Sequence, residues 1–134
     1  MAKLRHLAIA SVDPDTTAQF YVDVFGFERL RVAKGETYYG HILSDGTMNL
    51  AILRFDTDAA AGAERGKSFV GLHHIGFEVD DVEDAARKVT AAGAIARHDI
   101  NDALGLDTSM HVKGEFKFSG PDGVVFDLSE PGIW

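Results

Sequence analysis

Apolar and polar positions alternate along LRHLAIASV, residues 4–12, as they do in a strand with one buried face. Asp13-Pro14 follows, an N-cap residue and a proline suited to the first helical position. A helix is predicted from there to about Phe25, with Phe20, Tyr21 and Val24 on its buried side and Gly26 ending it. Three further strands are predicted at about 27–33, 37–43 and 47–55, separated by the turn signals Lys34-Gly35 and Asp45-Gly46. The order is β-α-β-β-β.

The second half repeats this order. His74-Ile-Gly-Phe-Glu-Val matches His6-Leu-Ala-Ile-Ala-Ser, and Asp81 through Gly93 matches Asp13 through Gly26, again a capped helix ending on glycine. Pro121-Asp122-Gly123 with the strand 124–129 matches Ser44-Asp45-Gly46 with 47–53. The chain is therefore expected to be one α+β domain, 1–134, made of two tandem βαβββ modules, 1–55 and 72–134. Residues 56–71, rich in Ala, Gly and charge and without a period, are expected to link them, and residues 99–114 form a long irregular stretch of the kind that covers binding sites.

Alternation sorts the strand residues by face. Leu7 and Ile9 take the helix side, so His6, Ala8 and Ala10 take the other; by the same count His74, Gly76 and Glu78 oppose Ile75, Phe77 and Val79. Asp127 falls on the histidine side of the last strand, and Asn49 is its pseudo-symmetric mate. Small residues beside each histidine leave room for a ligand.

Composition narrows the chemistry. The balance of 13 Lys+Arg against 21 Asp+Glu gives −8, and no basic cluster is interleaved with aromatics, so nucleic acid is not an expected partner. With no cysteine, disulfides, thiolate metal sites and cysteine nucleophiles are excluded, and a metal would be held by His and carboxylate. No apolar run approaches the ~18 residues of a membrane span, so no membrane partner and a cytoplasmic location are expected.

RHLAIA, LHHIGFEVDD and PDGVVFDLSE together resemble the vicinal oxygen chelate superfamily, which includes glyoxalase I, methylmalonyl-CoA epimerase, extradiol dioxygenases and the bleomycin- and fosfomycin-resistance proteins. The resemblance implies paired modules forming an incomplete barrel around a divalent metal, with ligands from the first and fourth strands of each module. Position by position it puts His6, His74 and Asp127 on ligand positions and Asn49 on the fourth, where the family often has Glu. An amide is neutral and a poor ligand for zinc. Two imidazoles and one carboxylate with open positions suit Fe, and also Mn, Ni or Zn.

The implied function is a metalloenzyme binding a small substrate bidentately, dioxygenase-like first, because the three-ligand count fits ring cleavage, and glyoxalase-type lyase or epimerase next. The alternative is a metal-free protein that sequesters a small molecule, as the bleomycin-resistance branch does. A fosfomycin-type transferase would need a basic cluster that is not evident around these motifs. A homodimer is expected from the family habit and from an open sheet edge.

Other polar residues have secondary expectations. Glu78, His41 and Tyr39 are candidate bases or proton donors behind the metal ligands, with a cross-strand salt bridge the alternative for Glu78 and a packed or exposed ring the alternative for His41; Glu130 reads as a surface carboxylate, and as a substitute ligand only in the alternative. His73 is expected on the helix side or in solvent as a structural residue, and His111 and Glu115 border the irregular stretch within reach of a substrate.

Overall fold

Strand β1 (Lys3–Ala10) leads into helix α1 (Pro14–Phe25) in the computed structural model, which describes residues 2–106, 108, 109 and 114–133. Asp13 caps α1 by accepting from the Thr16 N–H at 3.2 Å, and Gly26, left-handed at φ 73°, ends it by donating to Val22 O at 3.0 Å. The buried stripe differs from the predicted one. Pro14 and Ala18 are buried and Tyr21 and Val22 pack on the sheet, whereas Phe20 and Val24 are 52% and 58% exposed. Ala18 lets the helix approach Leu43, Leu50 and Ile52 closely, and a helical period starting from Pro14 and Ala18 continues to Tyr21 and Val22.

Strands β2 (Glu28–Lys34), β3 (Tyr38–Ser44) and β4 (Asn49–Phe55) complete the first β-α-β-β-β run. The expected linker contains one helical turn, α2 (Asp58–Ala61), capped by Thr57 Oγ1, which accepts from the Ala60 N–H at 3.1 Å. A single turn is too short to carry a period. The second run comprises β5 (Gly71–Glu78), α3 (Val82–Ala91), β6 (Ile95–Ala96), α4 (His98–Ala103), β7 (Phe116–Ser119) and β8 (Val125–Ser129). Part of the expected irregular stretch is thus α4, anchored by fully buried Ile100 and by Thr37 Oγ1, which donates to Ala103 O at 2.7 Å. Its residues 107 and 110–113, His111 among them, lie outside the described residues.

All eight strands join one mixed sheet in the order β2-β3-β4-β1-β5-β8-β7-β6. The first strands of the two runs pair antiparallel, β1 with β5, and each pairs parallel with its own fourth strand, β1 with β4 and β5 with β8. The sheet does not close, and β2 and β6 are its edges, as expected of an incomplete barrel. One face packs under α1 through Leu7, Ile9, Leu50 and Ile52 and under α3 through Phe77, Phe116, Phe118 and Leu128. On the other face Ala8, Ile42 and Ala51 pack together beside a cavity of about 280 Å³.

Two irregularities interrupt the β1–β5 ladder, between Leu4 and His6 and between Ala8 and Ile9. In the second, Ala8 pairs with His74 and Ile9 with Leu72, which leaves His73 as an extra residue in β5. The bulge defeats simple alternation: His73 and His74 are both buried, at 2% and 5% exposure.

Candidate metal centre

His6, Gly76 and Asp127 lie side by side on β1, β5 and β8, since Gly76 is the register partner of both His6 and Asp127. With no side chain of its own, Gly76 leaves its space to the His6 ring; a Cβ there would fall on His6 Cδ2 and Nε2. Across that gap His6 Nε2 stands 3.0 Å from Asp127 Oδ2, and His74 Nε2 stands 3.2 Å from the same oxygen. The three residues, chosen from the sequence as ligands, are brought together within one chain, with ligand atoms all within 4.8 Å of one another and His6 and Asp127 fully enclosed.

The donor set fits a divalent cation. Bonds of about 2.1 Å at right angles put neighbouring ligand atoms about 3 Å apart, which matches the observed separations. Asp127 Oδ2, buried and so close to two imidazole nitrogens, accepts no hydrogen bond from the described residues. Burial holds both histidines in the neutral, ligating form: it brings His6 down to about 3 against the pull of Asp127, and it lowers His74 with help from Lys117. Burial opposes the charge on Asp127, but the neighbouring Lys117 ammonium outweighs it and keeps the carboxyl well below its usual range.

One side chain of the cavity, Lys117, escaped the sequence reading. Lys117 Nζ donates to Asp127 Oδ1 at 2.6 Å, and its side chain is only 3% exposed. Burial works against its charge, while Asp127 and Glu115 hold its pKa above the usual lysine value. Glu115 lines the cavity with Lys117, and burial, then the Asp127 charge, push its carboxyl up to about 8. A signal existed: in FKFS, with Phe116 and Phe118 facing the helix, alternation sends Lys117 and Glu115 to the cavity side. Arg31 and Lys34 of β2 also line the cavity, basic residues far from Lys117 along the chain. Apolar lining comes from Ile42, Leu53, Phe55 and Leu104.

The remaining candidates fall elsewhere. Asn49 is buried and pairs in register with His6, yet it is not among the residues lining the cavity. Glu78 faces Arg5, 3.5 Å from its Nε. Tyr39 and His41 share the α1 side of β3 with Leu43, away from the cavity, because the strand presents Gly40 and Ile42 to the other face. There Tyr39 Oη donates to Asp15 Oδ1 at 2.7 Å and His41 Nε2 lies 2.6 Å from the same oxygen, bonds that hold the Asp15 carboxyl below its usual range. Glu130 Oε2 accepts from the Val82 N–H at 3.0 Å and so caps α3. His73 is neither on the helix side nor in solvent: its Nδ1 is 2.7 Å from His74 Nδ1, its Nε2 is 2.6 Å from Ala61 O, and burial brings it down to about 3.

The open mixed sheet thus brings two imidazoles and a carboxylate together across its central strands. The chain belongs to the Glyoxalase/Bleomycin resistance protein/Dioxygenase superfamily, whose family model matches residues 3–128. Its fold is similar to that of a variant of the Streptomyces coelicolor methylmalonyl-CoA epimerase in complex with 2-nitronate-propionyl-CoA, at 24% identity and TM-score 0.72 over 98% of each chain. It is also similar to a hypothetical protein from Bacillus halodurans, at 20% identity and TM-score 0.72, covering 99% of this chain and 96% of that one. The methylmalonyl-CoA epimerase of Mycobacterium tuberculosis aligns at 17% identity and TM-score 0.69, over 96% and 87% of the two chains. No curated protein sequence matches the chain. No described helix is long and apolar enough to cross a membrane.

Proposed function

We propose that this chain is a metal-dependent enzyme of its superfamily, with His6, His74 and Asp127 holding a divalent ion (Fe, Mn, Ni or Zn) and a small anionic substrate bound in the adjoining cavity. The observation that carries this reading is the convergence of three buried donors on one point, Asp127 Oδ2 standing 3.0 and 3.2 Å from two imidazole nitrogens. A divalent ion there would polarise two neighbouring substrate oxygens and stabilise the charge that develops on them.

This chain's own residues favour proton transfer next to a carbonyl, the epimerase or lyase type, over ring cleavage. Glu115, with a pKa near 8, can give or take a proton close to neutrality. Lys117 would place a positive charge beside substrate oxygens bound next to Asp127, and Arg31 and Lys34 would attract an anionic substrate to the cavity. Ile42, Leu53 and Phe55 exclude water and strengthen each of these interactions. The three-ligand count supports dioxygenase-like chemistry as the second reading, and metal-free sequestration is the alternative. The open edges at β2 and β6, with Leu30 and Val32 of β2 42% and 53% exposed, support a homodimer.

Metal analysis of untagged protein beside a His74→Ala/Asp127→Ala variant tests the reading. Stoichiometric metal in the native protein alone supports it, and no metal after reconstitution with each ion leaves sequestration. Deuterium uptake from solvent at the carbon next to a carbonyl, across a panel of small branched acids and thioesters, supports the epimerase or lyase type; oxygen consumption with catechols supports the dioxygenase type. Light scattering measures the assembly.

A further inference from the structure

We propose that His73 is a positioning residue that locks His74 in the tautomer with hydrogen on Nδ1, so that the Nε2 lone pair is held toward Asp127. The inference takes its purpose from the metal-site reading above. Its geometry stands on a chain of hydrogen bonds whose directions follow from one end.

Ala61 O is a carbonyl and can only accept, so His73 Nε2, at 2.6 Å, carries the hydrogen of that bond. The His73 ring is 2% exposed and packed on Phe55, with centroids 4.6 Å apart, a place where an imidazolium would lose its hydration. A neutral ring with hydrogen on Nε2 has a lone pair on Nδ1. His73 Nδ1 therefore accepts across 2.7 Å, and His74 Nδ1 must be the donor. His74 is left with a bare Nε2 facing Asp127 Oδ2 at 3.2 Å, two lone-pair atoms in one buried gap that a cation between them would satisfy.

The bulge in β5 makes this possible, because the extra residue brings consecutive side chains into the interior together. It also gives α2 a role. The carbonyl that starts the chain of bonds belongs to the last residue of that helix, so the segment joining the two runs orients a ligand of the metal site.

Imidazole-nitrogen NMR of the metal-free wild-type protein tests the tautomer directly. The expected pattern is His74 protonated at Nδ1 and bare at Nε2, with His73 the reverse; His74 protonated at Nε2 overturns the proposal. Titration with Zn²⁺ alone then compares two variants. His73→Phe keeps an enclosed ring but neither donates nor accepts, and is expected to weaken Zn²⁺ binding by about 10–100-fold. His73→Gln offers an acceptor and a donor on one amide and is expected to recover most of that loss. Wild-type affinity in His73→Phe with the His74 tautomer unchanged also overturns the proposal. If His73→Phe fails to fold, the wild-type spectra and His73→Gln decide. A wild-type protein that takes no metal defeats the metal-site reading, and the nitrogen spectra still decide whether His73 sets the tautomer.

Discussion

Lys117 and Asp127 are register partners across β7 and β8, and the ammonium donates to Oδ1 at 2.6 Å with both side chains almost wholly enclosed. Asp127 thus has one oxygen committed to a permanent cation and the other turned toward His6 and His74. Removing the partner of a buried charge costs more than the pair contributes, because the remaining charge is stranded. Lys117→Met should destabilise the metal-free protein by about 3–5 kcal/mol. Added Zn²⁺ should restore part of the loss by neutralising Asp127 from the other side. Urea unfolding with chelator and with Zn²⁺ checks both, and an unchanged midpoint in chelator would show that the ion pair does not hold the carboxylate.

Gly76 makes room for the His6 ring, and an added methyl would fall on ring atoms. Gly76→Ala should cost about 1–3 kcal/mol through overpacking. It should also displace His6 from Asp127 and abolish tight metal binding. Calorimetric titration of the folded variant measures this, and wild-type affinity there would contradict the geometry.

Opposed titrations set the acid response of the metal-free protein. His6 and His73 are neutral in the fold down to about pH 3 but protonate near 6.5 in the unfolded chain, so each loses about 2 kcal/mol of stabilisation between pH 7.5 and pH 5. Glu115 acts the other way: its folded pKa of about 8 lies above the unfolded value, so its contribution is full at low pH and is lost as pH rises through 8. Glu115→Gln removes that opposing effect. Its stability should rise more steeply than the wild type's from pH 5 to pH 7.5. Parallel slopes in urea melts at the two pH values would contradict the assignment.

Asn49 lies beside His6 in the β1–β4 register, on the same side of β4 as Ala51. A longer carboxylate at that position should reach the metal from β4. Asn49→Glu is expected to tighten Zn²⁺ binding about tenfold or more, the scale of one added ligand or its loss. Equal affinities would place the β4 position out of ligand range.

Much of the site was legible along the chain. His6, His74 and Asp127 stand on alternating strands beside small residues, and a two-residue period carries side-chain direction without knowledge of the rest of the fold. Asp13-Pro14 and Gly26 mark the ends of α1 for the same reason, since capping is a local interaction. Phe20 and Val24 were misplaced because which stripe of a helix is buried depends on the sheet it lands on, and the close approach at Ala18 decided it.

The sequence by itself determined the order of elements through the first run, the two capped helices and the strand faces on which His6, His74 and Asp127 stand, all properties of spacings within a few residues. Only the tertiary structure decided what surrounds them. His73 turned inward because β5 bulges against β1, a mismatch between two strands about 65 residues apart that neither strand shows alone. Lys117, Arg31 and Lys34 came to line one cavity because β2 and β7, near opposite edges of the sheet, both face it. Tyr39 and His41 were removed from it because β3 presents Gly40 and Ile42 there instead. Charge and hydrogen bonding act over distances in space, and the chain's own coordinate measures only distance along the backbone.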